Sequence, residues 1–71
     1  MIKIYGMKGC DKCTKMIEFC EDNYFNYEYI EEQSILLEYA RKHHILTAPV
    51  VQIDNNFYGF NGAMERLKNV R

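Results

Sequence analysis

Cys10-Asp11-Lys12-Cys13 is the stretch of this chain whose residue types and spacing can do chemistry unaided. Two thiols two residues apart can close into a disulfide and reopen, exchanging electrons in pairs with another disulfide. The flanks favour that use. Met1 to Tyr5 alternates apolar and polar residues, and an amphipathic run follows the second cysteine. This order reads as a strand, a tight turn and a helix, with both cysteines where turn meets helix. A helix N-terminus carries unpaired N–H groups and about half a positive charge, which favour a thiolate over a thiol. The thiolate is the reactive species. Cys10 is accordingly read as the attacking thiol and Cys13 as its resolving partner.

The elements that must hold the pair follow from periodicity. Ile2 and Ile4 share one face of the first strand, Lys3 and Tyr5 the other. Gly6 and Gly9 loosen the backbone around Met7 and Lys8 and lift the motif to a sheet edge. Asp11 suits a helix start, by capping or by its charge against the dipole. Cys13, Met16, Ile17 and Cys20 fall at i, i+3, i+4 and i+7, one apolar stripe of a helix running to about Tyr24. Cys13 heads that stripe and faces inward, whereas Cys10 precedes the helix and meets solvent. Cys20, further along the stripe, reads as a small buried hydrophobe.

Phe25 to Ile30 is a second strand, rich in aromatic residues. Ser34 is a candidate cap for a second helix reaching about His43, with Leu36, Leu37, Ala40 and His44 as its inner stripe. Val50, Val51 and Ile53 form a third strand behind Pro49, which stands where a strand tolerates it. Asp54-Asn55-Asn56 turns into Phe57-Tyr58, and Asn61 or Gly62 starts a last helix with Ala63, Met64 and Leu67 facing the sheet. The expected order is β-α-β-α-β-β-α, an α/β fold with a four-stranded mixed sheet flanked by three helices.

Seventy-one residues suit a single domain spanning 1–71, and a 48% apolar composition supplies a modest core. Nine basic against ten acidic residues argue against a nucleic-acid binder. Lys3, Lys8, Lys12 and Lys15 gather around the motif, forming a positive collar that favours the thiolate and steers an acidic partner. Three cysteines, an odd number, are unlike a secreted disulfide scaffold. With no leader pattern and no long apolar span, the expectation is a cytoplasmic monomer with no membrane partner.

The motif, its position and the lone proline together resemble the glutaredoxins over nearly the whole chain. Tyr5 to Cys13 looks like that family's approach to its active site, Thr47-Ala48-Pro49 like its Thr-Val-Pro loop, and Tyr58-Gly59-Phe60-Asn61 like the glycine-bearing turn before its last helix. The resemblance implies a thioredoxin-like fold, a cis Pro49 beside the dithiol, and disulfide reduction through Cys10 and Cys13. It also implies a substrate or glutathione site made by Lys8, Asp11, Lys12, Thr47, Ala48, Pro49, Gly59, Phe60 and Asn61. No bound cofactor is implied beyond the redox-active cysteine pair, with glutathione as a candidate co-substrate.

Three departures bear on the electron donor. Tyr58 replaces the first glycine of the Gly-Gly pair, Asn61-Gly62 offers no carboxylate for a glutathione amino group, and Met7 stands where the family has a basic residue. Ala48-Pro49-Val50-Val51 and Tyr58-Gly59-Phe60 look instead like the NrdH-type redoxins. That likeness implies thioredoxin reductase as donor and ribonucleotide reductase as acceptor. A rival from another class is a metal-binding module that uses the two cysteines for zinc or an iron–sulfur cluster. A structural zinc site would ordinarily offer a second ligand pair. His43 and His44 are adjacent on a helix and point apart, His43 reading as exposed and His44 as a helix-end residue.

Overall fold

The computed structural model describes residues 1–69. Its elements are β1 (Ile2–Gly6), α1 (Asp11–Asp22), β2 (Tyr27–Glu31), α2 (Gln33–Lys42), β3 (Val50–Ile53), β4 (Asn56–Tyr58) and α3 (Phe60–Lys68). The strands form one mixed sheet in the order β2-β1-β3-β4. β2 runs parallel to β1, with Ile2 opposite Tyr27 and Gly6 opposite Glu31. β3 is antiparallel to β1, with Tyr5 opposite Val50, and β4 is antiparallel to β3. The α/β order read from periodicity is therefore the one observed.

Alternation along β1 divides the core in two. Ile2 and Ile4 join Met16 and Cys20 of α1, Val51 and Ile53 of β3, and Ala63 and Leu67 of α3 in one buried cluster. Tyr5 and Val50 point to the opposite face and pack with Leu36 of α2. The sheet thus carries α1 and α3 on one side and α2 on the other. Tyr5 thus lies on the face opposite Ile2 and Ile4, as the alternation predicts, and that face is covered too. Tyr5 is buried, its ring lies 4.8 Å from that of Tyr39, and its hydroxyl donates to Gln52 Oε1 at 2.9 Å. Full burial of an aliphatic side chain stabilises by about 1.5–3 kcal/mol, so Ile4, Met16, Val51 and Leu67 are the costliest of these to truncate.

Helix ends account for the other differences. Both α1 and α2 stop in the same way, with a left-handed residue just past the cap. Tyr24 has φ +59°, and the Phe25 N–H reaches back to the Cys20 carbonyl at 2.9 Å. His44 has φ +57°, and the Ile45 N–H reaches the Ala40 carbonyl at 2.9 Å. These six-to-one bonds are Schellman closures, which ordinarily use glycine. Because α2 ends at Lys42, His44 leaves the inner stripe and is exposed, as is Leu37, at 49%. His43 is instead the packed one, stacked on Phe57 with ring centroids 4.0 Å apart. Ser34 does not cap α2. Glu32 holds that position without a side-chain cap bond, and the Ser34 hydroxyl donates to Glu32 Oε2 at 3.3 Å. β2 starts and ends later than the aromatic run suggests, and α3 begins at Phe60, one residue early.

Candidate active site

Gly6 ends β1, and Gly9 turns the chain with φ +72°, a conformation that L side chains rarely adopt. Cys10 then takes extended backbone angles (φ −99°, ψ 106°) as the N-cap of α1. Its sulfur accepts the Cys13 N–H at 3.1 Å, and its carbonyl accepts the Thr14 N–H at 3.2 Å. The sulfur thus occupies the place usually held by a serine or aspartate oxygen, at the positive end of the helix. Asp11 is not the cap. It is the first residue of α1 and contributes its charge to the first turn. Cys10 and Cys13 are joined by a disulfide, with Cα atoms 5.2 Å apart. Cys13 is 1% exposed and Cys10 is half-buried, the asymmetry that helical spacing predicts.

Strand directions bring the remaining candidate residues to the same end of the sheet. The Cys10 loop leaves β1 at Gly6. Pro49 immediately precedes Val50, the partner of Tyr5, so it stands beside that exit. The Ala48–Pro49 bond is cis, as the resemblance implies, and Pro49 is fully buried. Thr47 before it is exposed, and Ala48 packs against the α2-side cluster. β4 returns to this end at Tyr58, opposite Val51. Gly59 is then the N-cap of α3, Phe60 its first residue, and Asn61 the exposed second. Lys12 Nζ lies 5.8 Å from the Phe60 ring centroid, a cation–π distance that ties the starts of α1 and α3 together.

Of the lysine collar, Lys8, Lys12 and Lys15 are exposed around the motif. Lys3 is not part of it, being inside β1 opposite Glu28 and Gln52. Lys8 and Asp11 line a groove of about 260 Å³ that opens on Cys10, with Met7, Thr14, Ile17, Tyr29 and Glu31. This groove lies on the β2 side of the motif, whereas Pro49 lies on the β3 side. Two of its features escape a reading by local spacing. Tyr29, a residue of β2, reaches over Gly6 toward the cysteines. A side-chain carbon on Gly6 would stand 2.7 Å from the Tyr29 hydroxyl and 2.9 Å from Cys13 Sγ. Gly6 is thus required for close approach, whereas Gly9 serves the turn.

Burial, and secondarily the charge of Glu31, raise the pKa of Tyr29, so its hydroxyl keeps its proton. Cys20 is a free, fully buried thiol, and burial followed by the nearby Glu21 charge pushes its pKa up. It is thereby kept in the unreactive thiol form. Among the described residues, no three His, Cys, Asp or Glu side chains gather in a way that could hold a metal ion. Also among them, no helix is long and apolar enough to cross a membrane.

No protein-family model matches the sequence, and no curated protein does. Solved structures do match in shape. The thioredoxin-like protein BC3987 superposes with a TM-score of 0.76 at 21% identity, over 100% of both chains. Glutaredoxin 1 from Francisella tularensis, solved in complex with cacodylate, gives 0.74 at 20% identity, over 97% of this chain and 93% of its own. With its strand order, its three helices and a cysteine pair at the first helix N-terminus, the chain has the thioredoxin-like fold that glutaredoxins share.

Proposed function

We propose that this protein is a thiol–disulfide oxidoreductase, a dithiol redoxin that reduces disulfides in partner proteins. The observation that carries the reading is the position of Cys10. Its sulfur caps α1, accepts the Cys13 N–H at 3.1 Å, and is already paired with Cys13 as a disulfide. In the reduced protein, the helix N-terminus favours the Cys10 thiolate. That thiolate attacks a substrate disulfide, forming a Cys10–substrate bond and expelling the first substrate sulfur as thiolate, which takes a proton from water. Cys13 loses its proton and attacks Cys10 Sγ. The internal disulfide forms, and the second substrate sulfur leaves. Two electrons and two protons have then passed to the substrate.

Thr47, Ala48 and the cis Pro49 border this reaction on the β3 side. An extended substrate segment pairing with the backbone at Ala48 would lay its disulfide against Cys10. Gly59, Phe60 and Asn61, with Lys8 and Lys12, complete the rim. The missing carboxylate at Asn61-Gly62 favours thioredoxin reductase over glutathione as the electron donor, with ribonucleotide reductase as an acceptor.

The test uses two variants and two donors. Cys10→Ser is expected to abolish reduction of a protein disulfide, and Cys13→Ser to accumulate a mixed disulfide visible by mass spectrometry. Full activity in Cys10→Ser would overturn the reading. Oxidised protein supplied with NADPH and thioredoxin reductase, or with NADPH, glutathione and glutathione reductase, decides the donor. Turnover with glutathione alone would reverse that assignment.

A further inference from the structure

Cys13 must become a thiolate twice in the cycle, as attacking group and as leaving group, yet it is 1% exposed. Burial disfavours charge unless a donor faces it. The helix N-terminal N–H that meets the motif sulfur is given to Cys10. The atoms nearest the point where a side-chain carbon on Gly6 would stand are those of the Tyr29 phenol and Cys13 Sγ. The hydroxyl and the sulfur flank one point above that glycine, 2.7 and 2.9 Å from it. Tyr29 also lines the groove onto which Cys10 opens, so this spot communicates with solvent.

We propose that the Tyr29 hydroxyl is a positioning and donor group for the resolving cysteine, stabilising Cys13 as a thiolate from the side of the sheet opposite Pro49. This inference rests on the dithiol reading above and assigns the second half of its chemistry. When a reductant thiolate attacks Cys10 Sγ, a new reductant–Cys10 bond forms and the Cys10–Cys13 bond breaks. The electron pair leaves on Cys13 Sγ, and Tyr29 O–H donates a hydrogen bond to it. No proton moves from Tyr29. The thiolate is protonated afterwards by water from the groove. In the other direction, the same hydrogen bond holds deprotonated Cys13 in line with Cys10. The raised pKa of Tyr29 accords with donation without transfer. Lys8, Asp11 and Glu31 are the charged groups that share the groove, and all three are exposed. Gly6 has a matching role, leaving clear the point that the hydroxyl and the sulfur both approach.

The experiment compares Tyr29→Phe with the unmodified protein. The substitution keeps the ring and removes one oxygen. The first readout is the rate at which dithiothreitol opens the oxidised Cys10–Cys13 pair. Losing a charge-assisted hydrogen bond to the leaving sulfur is expected to slow it roughly three- to tenfold. The second readout is Cys10 alkylation by iodoacetamide in a Cys13→Ser background, with and without Tyr29→Phe. There the two rates are expected to agree within about twofold, because Tyr29 acts on Cys13 and not on Cys10. Tyr27→Phe, further back on the same strand with its hydroxyl bound to Glu21 at 2.6 Å, serves as the control and leaves both rates unchanged.

An unaltered opening rate in Tyr29→Phe would overturn the inference, and so would an equal slowing of Cys10 alkylation, which would mark a general disturbance. If the unmodified protein fails to cycle between dithiol and disulfide at all, the dithiol reading itself falls. That result is distinct from the other two.

Discussion

At the residue scale the site is built from one substitution of role and one enforced absence. Cys10 does the work of a capping oxygen, so the sulfur proposed to react is also the atom that caps the start of α1. A reactive group placed there is stabilised by geometry that the fold needs anyway. Gly6 is the enforced absence. A methyl group on it would press on Tyr29 at 2.7 Å and on Cys13 Sγ at 2.9 Å, both held by the core. Gly6→Ala is expected to destabilise the fold by about 1–3 kcal/mol, the usual range for overpacking. For a domain of this size each 1 kcal/mol lowers Tm by about 4–8 °C. A thermal melt checks this, and a Tm equal to that of the unmodified protein would show that Tyr29 moves aside freely. Cys20, with no exposure, is the contrasting thiol, packed among Ile4, Met16 and Leu67 and held protonated by its surroundings.

At the element scale, α1 and α2 share a closure that neither cap residue suits. Tyr24 and His44 both sit in the left-handed region, at φ +59° and +57°. For an L residue this conformation costs about 1–2 kcal/mol. Tyr24 is 92% exposed, so its ring offsets little of that cost by burial. Tyr24→Gly is expected to stabilise the fold by about 0.5–1 kcal/mol, the gain in the folded chain exceeding the added freedom of the unfolded one. Urea denaturation measures the change, and a lowered midpoint would contradict it. The strands contribute direction. Because β2 is parallel to β1 while β3 and β4 alternate, the exits of β1 and β2 meet the entries of β3 and α3 at one end. Both sides of the cysteine pair are therefore furnished by the topology, Pro49 on one side and Tyr29 on the other.

At the scale of the whole molecule, stability depends on groups that lose protons only in alkali. Burial raises the pKa of Tyr5, Tyr29 and Cys20, and the hydrogen bond to Glu21 raises that of Tyr27. In each case the folded state holds the proton more firmly than the unfolded chain. The stability they contribute is thus complete below the unfolded values and is lost as pH rises through the folded ones. Tm is expected to fall as pH rises above about 9, where unperturbed cysteine and then tyrosine ionise. Tyr27→Phe should flatten that fall while leaving the acid and neutral part of the profile unchanged. A melt series across pH tests this, and an alkaline limb that is flat in the unmodified protein would contradict it.

The dithiol, its place before a helix, the inward Cys13 and the β-α-β-α-β-β-α order were all legible from the amino-acid sequence. Each is encoded within a few residues, by a period of two for strands or 3.6 for helices. The misses share a cause. The burial of Tyr5 was not legible because alternation shows that a strand has two faces but not that both are covered. His43 and His44 exchanged roles because the stripe of α2 gives its phase but not the residue at which a left-handed closure stops it. Tyr29 was passed over because Cys13 is sixteen positions away, and no local pattern records that a parallel strand brings both close to Gly6. Sequence spacing thus determined which sulfur is buried in the helix stripe and which precedes the helix. Only the tertiary structure, by packing residues distant in the chain against one another, decided that Tyr29 and Cys13 both close on Gly6.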